Sequence, residues 1–545
     1  MRKDGCRGSF FRVSIPGKYK VAILIMSSSF LLSLMSPDVQ AQVPQTGSSS
    51  QSKNTIRFRI RGEPETLDWN LAHTEVEAYL LMNLMEGLVT FDSQGKVRDA
   101  LAANWDVSLD GKVYTFHLHP GIKWSDGVPL RADDFLYSWK RLLSPGTAAS
   151  YAYFLFDIEG AQAFHQGTLQ NFDQVGIKVL NDLTLQVKLS QPLPHWINVP
   201  AFWVTFPMRQ DVVEKYGSAW DTPGRMVTLG PYSIVSHQLN SKFVLRANPG
   251  YYGKKGNVDQ IEAVIVENDT DAVALFNSGR LDVVTDLEAV QINALQDKSK
   301  LKTFPSLKTA YLGFAVEKYP VSSLNFRRAI AMAIDKSKVV TILKAGERPA
   351  TSFVPPPLKG YTPGIGLRFD PNRAKAELRS SGLGSGKIIL DYLLPNWDQA
   401  DAVAQWVRSE LQKNLGIEVV LHPVDNRAFR EKLDLHLFPL FHSSWIADYP
   451  DSDSFLSLFL SDSGNRRTQW KNEEFDQLVL KARHSTRPEE RARLQIQAQK
   501  ILLEDEVVLV PLYYEPNLAL VGNRVKNFEL NPLDYLYFRK VNVVP

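Results

Sequence analysis

Two hydrophobic periods interleave along this chain from residue 55 to about residue 504, and that interleaving constrains the fold more than any single motif. Residues 55–61 (TIRFRIR) alternate Ile56, Phe58 and Ile60 with three arginines, the period of a half-buried strand. Residues 113–119 alternate again, with Tyr114, Phe116 and Leu118 on one face. Between and after them the period changes to that of a helix. Residues 75–87 carry Leu80, Leu81, Leu84 and Met85 before a glycine stop, and 132–143 carry Phe135, Trp139 and Leu142. Further strands are predicted at 183–189, 243–246 and 261–266, and further helices at 269–278, 325–332, 370–380, 399–415 and 488–504. Strands and helices mixed along the whole chain predict an α/β protein rather than a β-sandwich. At 545 residues it exceeds what one core holds, so more than one lobe is expected.

The first 41 residues have the three parts of a secretory leader. A basic stretch ends at Lys20, an apolar segment runs from 21 to 35, and Pro37, Val39 and Ala41 precede a cut after Ala41. The apolar segment has 15 residues, four of them serine, which is short for a span of about 20. A cleaved leader, a tether over 42–54 and a periplasmic protein are therefore expected. The sole cysteine, Cys6, precedes the apolar segment, and Ser36 stands where a lipoprotein needs its acceptor cysteine. The mature chain would then have no disulfide, no thiol catalysis and no cysteine-bound zinc.

Removing the six basic and two acidic residues of 1–41 from totals of 62 and 59 leaves 56 and 57, a charge of −1. That balance argues against a nucleic-acid partner. Motifs for catalysis fail one by one. In GLGSGK (382–387) Ser381 stands where a phosphate loop needs its first glycine, and Ile388 replaces the hydroxyl residue after Lys387. Neither H-E-x-x-H nor G-x-S-x-G occurs. His117 and His119 lack a third ligand, and the acidic run 448–453 lacks the glycine and distal glutamate of a calcium loop. No catalytic residue, cofactor or metal is expected.

A series of blocks carries a family likeness. Residues 121–127 (GIKWSDG) lead into 128–141 (VPLRADDFLYSWKR). ETLD (65–68), EGL (86–88), GPY (230–232), FRRAI (326–330) and WIADYP (445–450) stand in matching order. This set, from Thr55 to Tyr537, resembles the family-5 extracellular solute-binding proteins of ABC importers, closest to the periplasmic oligopeptide-binding type. The resemblance implies a two-lobed periplasmic-binding-protein type II fold with an extra inserted small domain and a ligand cleft between the lobes. It implies one lobe from 55–86, 208–309 and 512–545, an inserted domain at 87–207 and a second lobe at 310–511. Strand-like runs at 308–310 and 510–512 would form the hinge.

The same resemblance implies function. The partners are an extended peptide, held by main-chain hydrogen bonds as an added strand, and a membrane permease; the binder itself is expected to be a monomer. Asp448 matches the aspartate that pairs with a peptide α-ammonium. Its place between Trp445 and Tyr449 agrees, because a carboxylate among aromatic rings needs a cation. Asp451, Ser452 and Asp453 are expected to cap and complement the helix that follows. His73, Thr74 and Glu75 would flank one side of the peptide, and Ser444, Trp445 and Ile446 the other, with Tyr151 and Trp445 walling side-chain pockets. His442 departs from the family, which has an arginine near the peptide carboxylate. A peptide receptor or chaperone, a binder of cell-wall (murein) peptides and, from another class, a secreted peptide hydrolase are the alternatives.

Overall fold

Strand Thr55–Ile60 sits between two neighbours, parallel to Gln260–Ile265 on one side and to Val283–Thr285 on the other. Both its faces are covered, so the expected solvent-facing arginines are not all at the surface. Arg59 is 1% exposed. Its guanidinium is satisfied by the Val266 and Glu267 carbonyls at 2.8 and 2.9 Å and by Asp269 at 2.5 Å. Burial pushes its pKa down while Asp269 pushes it up. A buried charge is tolerated where it is paired and fully hydrogen-bonded.

The computed structural model describes residues 54–545 apart from 296, 385 and 464–466. The leader expected over 1–41, and the tether up to residue 53, lie outside the described residues. The predicted helices over 132–143 and 399–415 are present as Ala132–Leu143 and Asp398–Leu415. The helix predicted over 488–504 is α-helical only to Lys500 and continues as a wider turn, Ile501–Asp505.

One mixed eleven-stranded sheet runs through the molecule. From one edge its strands are Glu418–Val424, Ile389–Pro395, Leu440–Ile446, Leu301–Phe314, Leu509–Val521, Val283–Thr285, Thr55–Ile60, Gln260–Ile265, Lys242–Ala247 and Tyr232–Gln238, with Arg348–Pro349 pairing off the path. The two long antiparallel strands, Leu301–Phe314 and Leu509–Val521, join its two halves. Their register shifts between Phe304 and Lys308 and again between Ala310 and Tyr311. Pro305, Pro511 and Pro516 lie at or beside these irregularities, where a missing N–H is tolerated. Side-chain alternation divides the two faces there. Ala310, Leu312 and Phe314 enter one hydrophobic cluster, and Leu307 and Tyr311 enter the other.

Within 87–207 a separate antiparallel sheet of Ala102–Val107, Val113–Leu118, Thr184–Lys188 and Ile177–Asn181 lies against helix Ala132–Leu143. Trp139 and Trp196 meet edge to face at 6.4 Å, both 0% exposed. Each such ring contributes about 4–6 kcal/mol of transfer free energy. Trp124 is buried beneath the same helix and donates its indole N–H to Asp134 at 3.0 Å. Burial pushes Asp134 up to about 6.

Candidate functional site

Strand Leu440–Ile446 is paired fully along one side and only in part along the other. Along one side it pairs with Phe314 to Lys308 over its whole length. Along the other it meets Ile389–Pro395 only at Leu440 and Phe441. Among the described residues, Ser444, Trp445 and Ile446 therefore have no strand on that second edge. An edge of unpaired N–H and C=O groups is a template for one more strand. The Trp445 indole N–H is shielded from water and has no acceptor among the described residues.

The chain leaves this strand through Ala447 into Asp448. The Asp448 backbone N–H donates to Ser454 Oγ at 2.9 Å, fixing the loop, while its carboxylate has no hydrogen bond or ion pair among the described residues. Half-buried and unpaired, that carboxyl is pushed up to about 7 by burial. Its aromatic setting differs from the expected one. Tyr449 turns away, stacking on His195 and donating to Asp453 at 2.7 Å. The hydroxyls in reach of the Asp448 charge are those of Tyr151, Tyr153 and Tyr535, each raised mainly by burial and further by that charge. Tyr151 reaches about 12. Tyr535 is far downstream, and no spacing or motif in the sequence links it to Asp448.

Tyr151 joins the two flanks. Its ring packs on Phe202 at 5.5 Å and Trp203 at 6.1 Å, and its hydroxyl feels Asp448, Glu75 and Glu77 together with the cation Arg430. On the second flank Thr74 precedes helix Glu75–Leu84. The buried Glu77 carboxylate accepts from the backbone N–H of Thr74 at 2.7 Å, His73 at 2.8 Å and Glu65 at 3.2 Å. One side chain thus satisfies donors that a helix start leaves free. His73 and Glu75 themselves are exposed. With the His73 and Thr74 donors committed to Glu77, this flank offers side chains and carbonyls more than N–H groups.

Glu75 belongs to an acidic group. Carboxylate oxygens of Glu75, Asp286 and Asp534 lie within 4.8 Å of one another. Tyr79 donates to Asp534 at 2.9 Å and to Asp286 at 3.1 Å. Desolvation and then mutual charge raise Glu75 and Asp534, the latter far above the carboxylate range. Lys308 stands beside it, paired to Glu515 at 2.6 Å and in register with Ile446. Burial alone would lower the Lys308 pKa, but the charges of Glu515, Glu75 and Asp534 outweigh it and raise the group.

His442 does not face this group as a charged residue. It is 6% exposed, with Nδ1 3.4 Å from the Tyr392 hydroxyl, and burial followed by the nearby Lys308 charge pushes it down to about 4. It is neutral at physiological pH. Asp451 and Asp453 also depart from their expected role. The helix that Asp451 precedes and Asp453 begins, Asp453–Leu456, has only four residues and little dipole to complement. Asp451 does accept the Asp453 N–H at 2.8 Å, but its carboxylate is clamped by Arg491 at 2.5 and 2.6 Å. Asp453 is held by His195 at 3.1 Å. His117 is paired with Asp106 at 3.0 Å.

Two half-sheets linked by a pair of long strands, with an open strand edge and an unpaired carboxylate between aromatic walls, define a bilobal binding protein. Its family follows from comparison. Residues 96–467 match the model for bacterial extracellular solute-binding proteins, family 5 (middle region). The chain belongs to that family. It is 31% identical over 526 residues to the probable deoxycholate-binding periplasmic protein YgiS of Escherichia coli K12, covering 94% of this chain and 96% of that protein. It is 30% identical over 511 residues to the oligopeptide-binding protein OppA of Bacillus subtilis 168, covering 90% and 93%. The solved structure of Haemophilus influenzae OppA in complex with RPPGFSPFR superposes with a TM-score of 0.76 at 26% identity, covering 90% of this chain and 99% of that one. The mixed α/β architecture is that of the type II periplasmic binding proteins.

Proposed function

We propose that this protein is the substrate-binding component of an ABC importer that captures extended oligopeptides. The observation that carries the reading is the open edge of Ser444–Ile446 ending at the unpaired carboxylate of Asp448. An incoming strand satisfies the edge through its main chain, largely independent of sequence. A peptide α-ammonium supplies the cation that the half-buried Asp448 lacks. The relatives support this reading, since the Bacillus protein is named for oligopeptides and the Haemophilus structure holds one. Deoxycholate, named for YgiS, presents a carboxylate of its own, which an ionised Asp448 repels.

Tyr151 and Trp445 wall side-chain pockets, and Thr74 and Glu75 face the peptide from the second flank. With His442 neutral, the peptide's carboxylate end is left without the anchor that an arginine there would give, so length is weakly constrained. The lobes comprise 55–86 with 208–309 and 512–545, and 310–511, with 87–207 inserted. They close about the paired irregularities of the two long strands and then present one closed surface to the permease. The leader directs the protein to the periplasm, where it works as a monomer without catalysis.

Incubation of the purified protein with a mixed peptide pool, read by native mass spectrometry, tests the reading. Stoichiometric retention of intact peptides supports it, and catalytic loss of peptides replaces it with hydrolysis. Retention together with an uptake defect on gene deletion separates import from a receptor or chaperone role. Selective retention of cell-wall peptides would narrow the ligand to murein.

A further inference from the structure

The segment 87–207 is fastened to the loop that carries Asp448, and the fastening is centred on one buried imidazole. His195 is 4% exposed. Its Nε2 lies 3.1 Å from Asp453 Oδ2, and its Nδ1 lies 3.0 Å from Arg491 Nη2. A guanidinium only donates, so Nδ1 is the acceptor and Nε2–H donates to Asp453. The two partners thus select one tautomer of the imidazole. Tyr449 stacks on its face at 5.3 Å. Arg491 is itself oriented by two bonds to Asp451.

Two further contacts tie the same regions. Arg483 donates to Asp157 at 2.9 Å while standing 3.9 Å from Asp453, and His484 Nδ1 meets the Pro192 carbonyl at 3.1 Å. The clasp continues into the anchor itself. Ser454, next to Asp453, receives the Asp448 N–H on its Oγ at 2.9 Å, so the backbone of the anchor is held by the same short stretch that His195 grips. A cavity of about 660 Å³ lies beside the joint, bordered by Lys96, His195, Pro450, Asp451 and Arg491.

We propose that His195 is a positioning residue of the ligand site: clasped between Asp453 and Arg491, it latches segment 87–207 onto the Asp448 loop, so that lobe closure and the ligand anchor form together. The inference rests on the closure proposed above but not on the identity of the ligand.

A disulfide trap tests it without any ligand. A Cβ built on Gly95 lies 3.6 Å from Pro450 Cβ, within bonding range for a disulfide between segment 87–207 and the Asp448 loop. The full chain carrying Cys6→Ser, Gly95→Cys and Pro450→Cys has two thiols, and its oxidation rate under diamide reports how often the joint is closed. Gly95 has a φ of +74°, and the strain of a side chain there is common to every protein compared, so it cancels from the ratio of rates. His195→Ala should slow trapping by about 10-fold or more, the loss expected for hydrogen bonds to charged partners. His195→Gln, whose amide offers both a donor and an acceptor, should restore the rate to within about 3-fold of the parent. Trapping of His195→Ala at the parent rate would overturn the proposal. So would a glutamine variant as slow as the alanine one while both unfold at the same temperature, since the donor and acceptor would then not be what matters. Because no peptide is present, neither result bears on the peptide reading.

Discussion

Replacing Asp448 by asparagine should move stability and affinity in opposite directions. The ordinary aspartate value is about 3.9, and burial raises Asp448 to about 7 in the ligand-free protein. A folded-state value above the unfolded one means that the protonated form is the stabilising one. Its contribution is complete below about pH 4 and is lost as pH rises to about 7. At pH 8 the ionised carboxylate therefore costs at most about 4 kcal/mol, and about 1–3 kcal/mol once its partial exposure is allowed for. Asparagine keeps the shape without the charge. At pH 8 the ligand-free Asp448→Asn protein should gain that amount, raising the apparent Tm by about 1–3 °C for a chain of this size. At pH 4 the gain should vanish. Binding of a free-amine peptide should weaken by about 2–5 kcal/mol, or roughly 30-fold to several thousand-fold. Thermal scans at both pH values, with calorimetry at about pH 7.5, measure both effects. A lower Tm for Asp448→Asn at pH 8 would mean instead that a protein cation already pairs with Asp448, leaving no place for a ligand amine.

Three further outcomes follow from the same geometry. Affinity for a free-amine peptide should be greatest between about pH 7 and 8, where Asp448 ionises while the peptide amine keeps its proton, and should fall below about pH 7 by up to tenfold per unit. An N-acetylated peptide should show no such slope, and calorimetry across pH measures both. Lys308→Met leaves Glu515 beside Glu75 and Asp534 without its cation, and should lower stability at pH 7 by about 1–3 kcal/mol in urea unfolding. Glu77→Ala strands backbone donors at the start of helix Glu75–Leu84 and should lower stability by about 2–3 kcal/mol in the same assay, with Glu77→Gln milder.

Local periodicity made most helices legible, because their apolar faces are regular and their ends carry ordinary stop signals. Helix Ala132–Leu143 is an example. The two long strands were legible only as short runs. Pro305, Pro511 and Pro516 interrupt them, and a proline in a sequence argues against a strand unless a register shift receives it. The alternation of 55–61 identified a strand but not its depth, since Arg59 is buried by neighbours distant in sequence, Val266 and Asp269. At the proposed site, the Trp-x-Ala-Asp-Tyr block singles out Asp448, but the aromatic hydroxyls that feel its charge are those of Tyr151, Tyr153 and Tyr535. The charges of Asp451 and Asp453 read as helix caps because their partners, Arg491 and His195, are distant in sequence. Pairings across the fold leave no local pattern.

Calorimetric titration of the wild-type protein at about pH 7.5 with a matched pair of peptides, Ala-Ala-Ala and its N-acetylated form, isolates the contribution of the peptide amine. Capture of the amine by Asp448 requires saturable one-to-one binding of the free-amine peptide and binding at least about 30-fold weaker for the acetylated one. Equal affinity for the two would contradict capture of a peptide amine by Asp448.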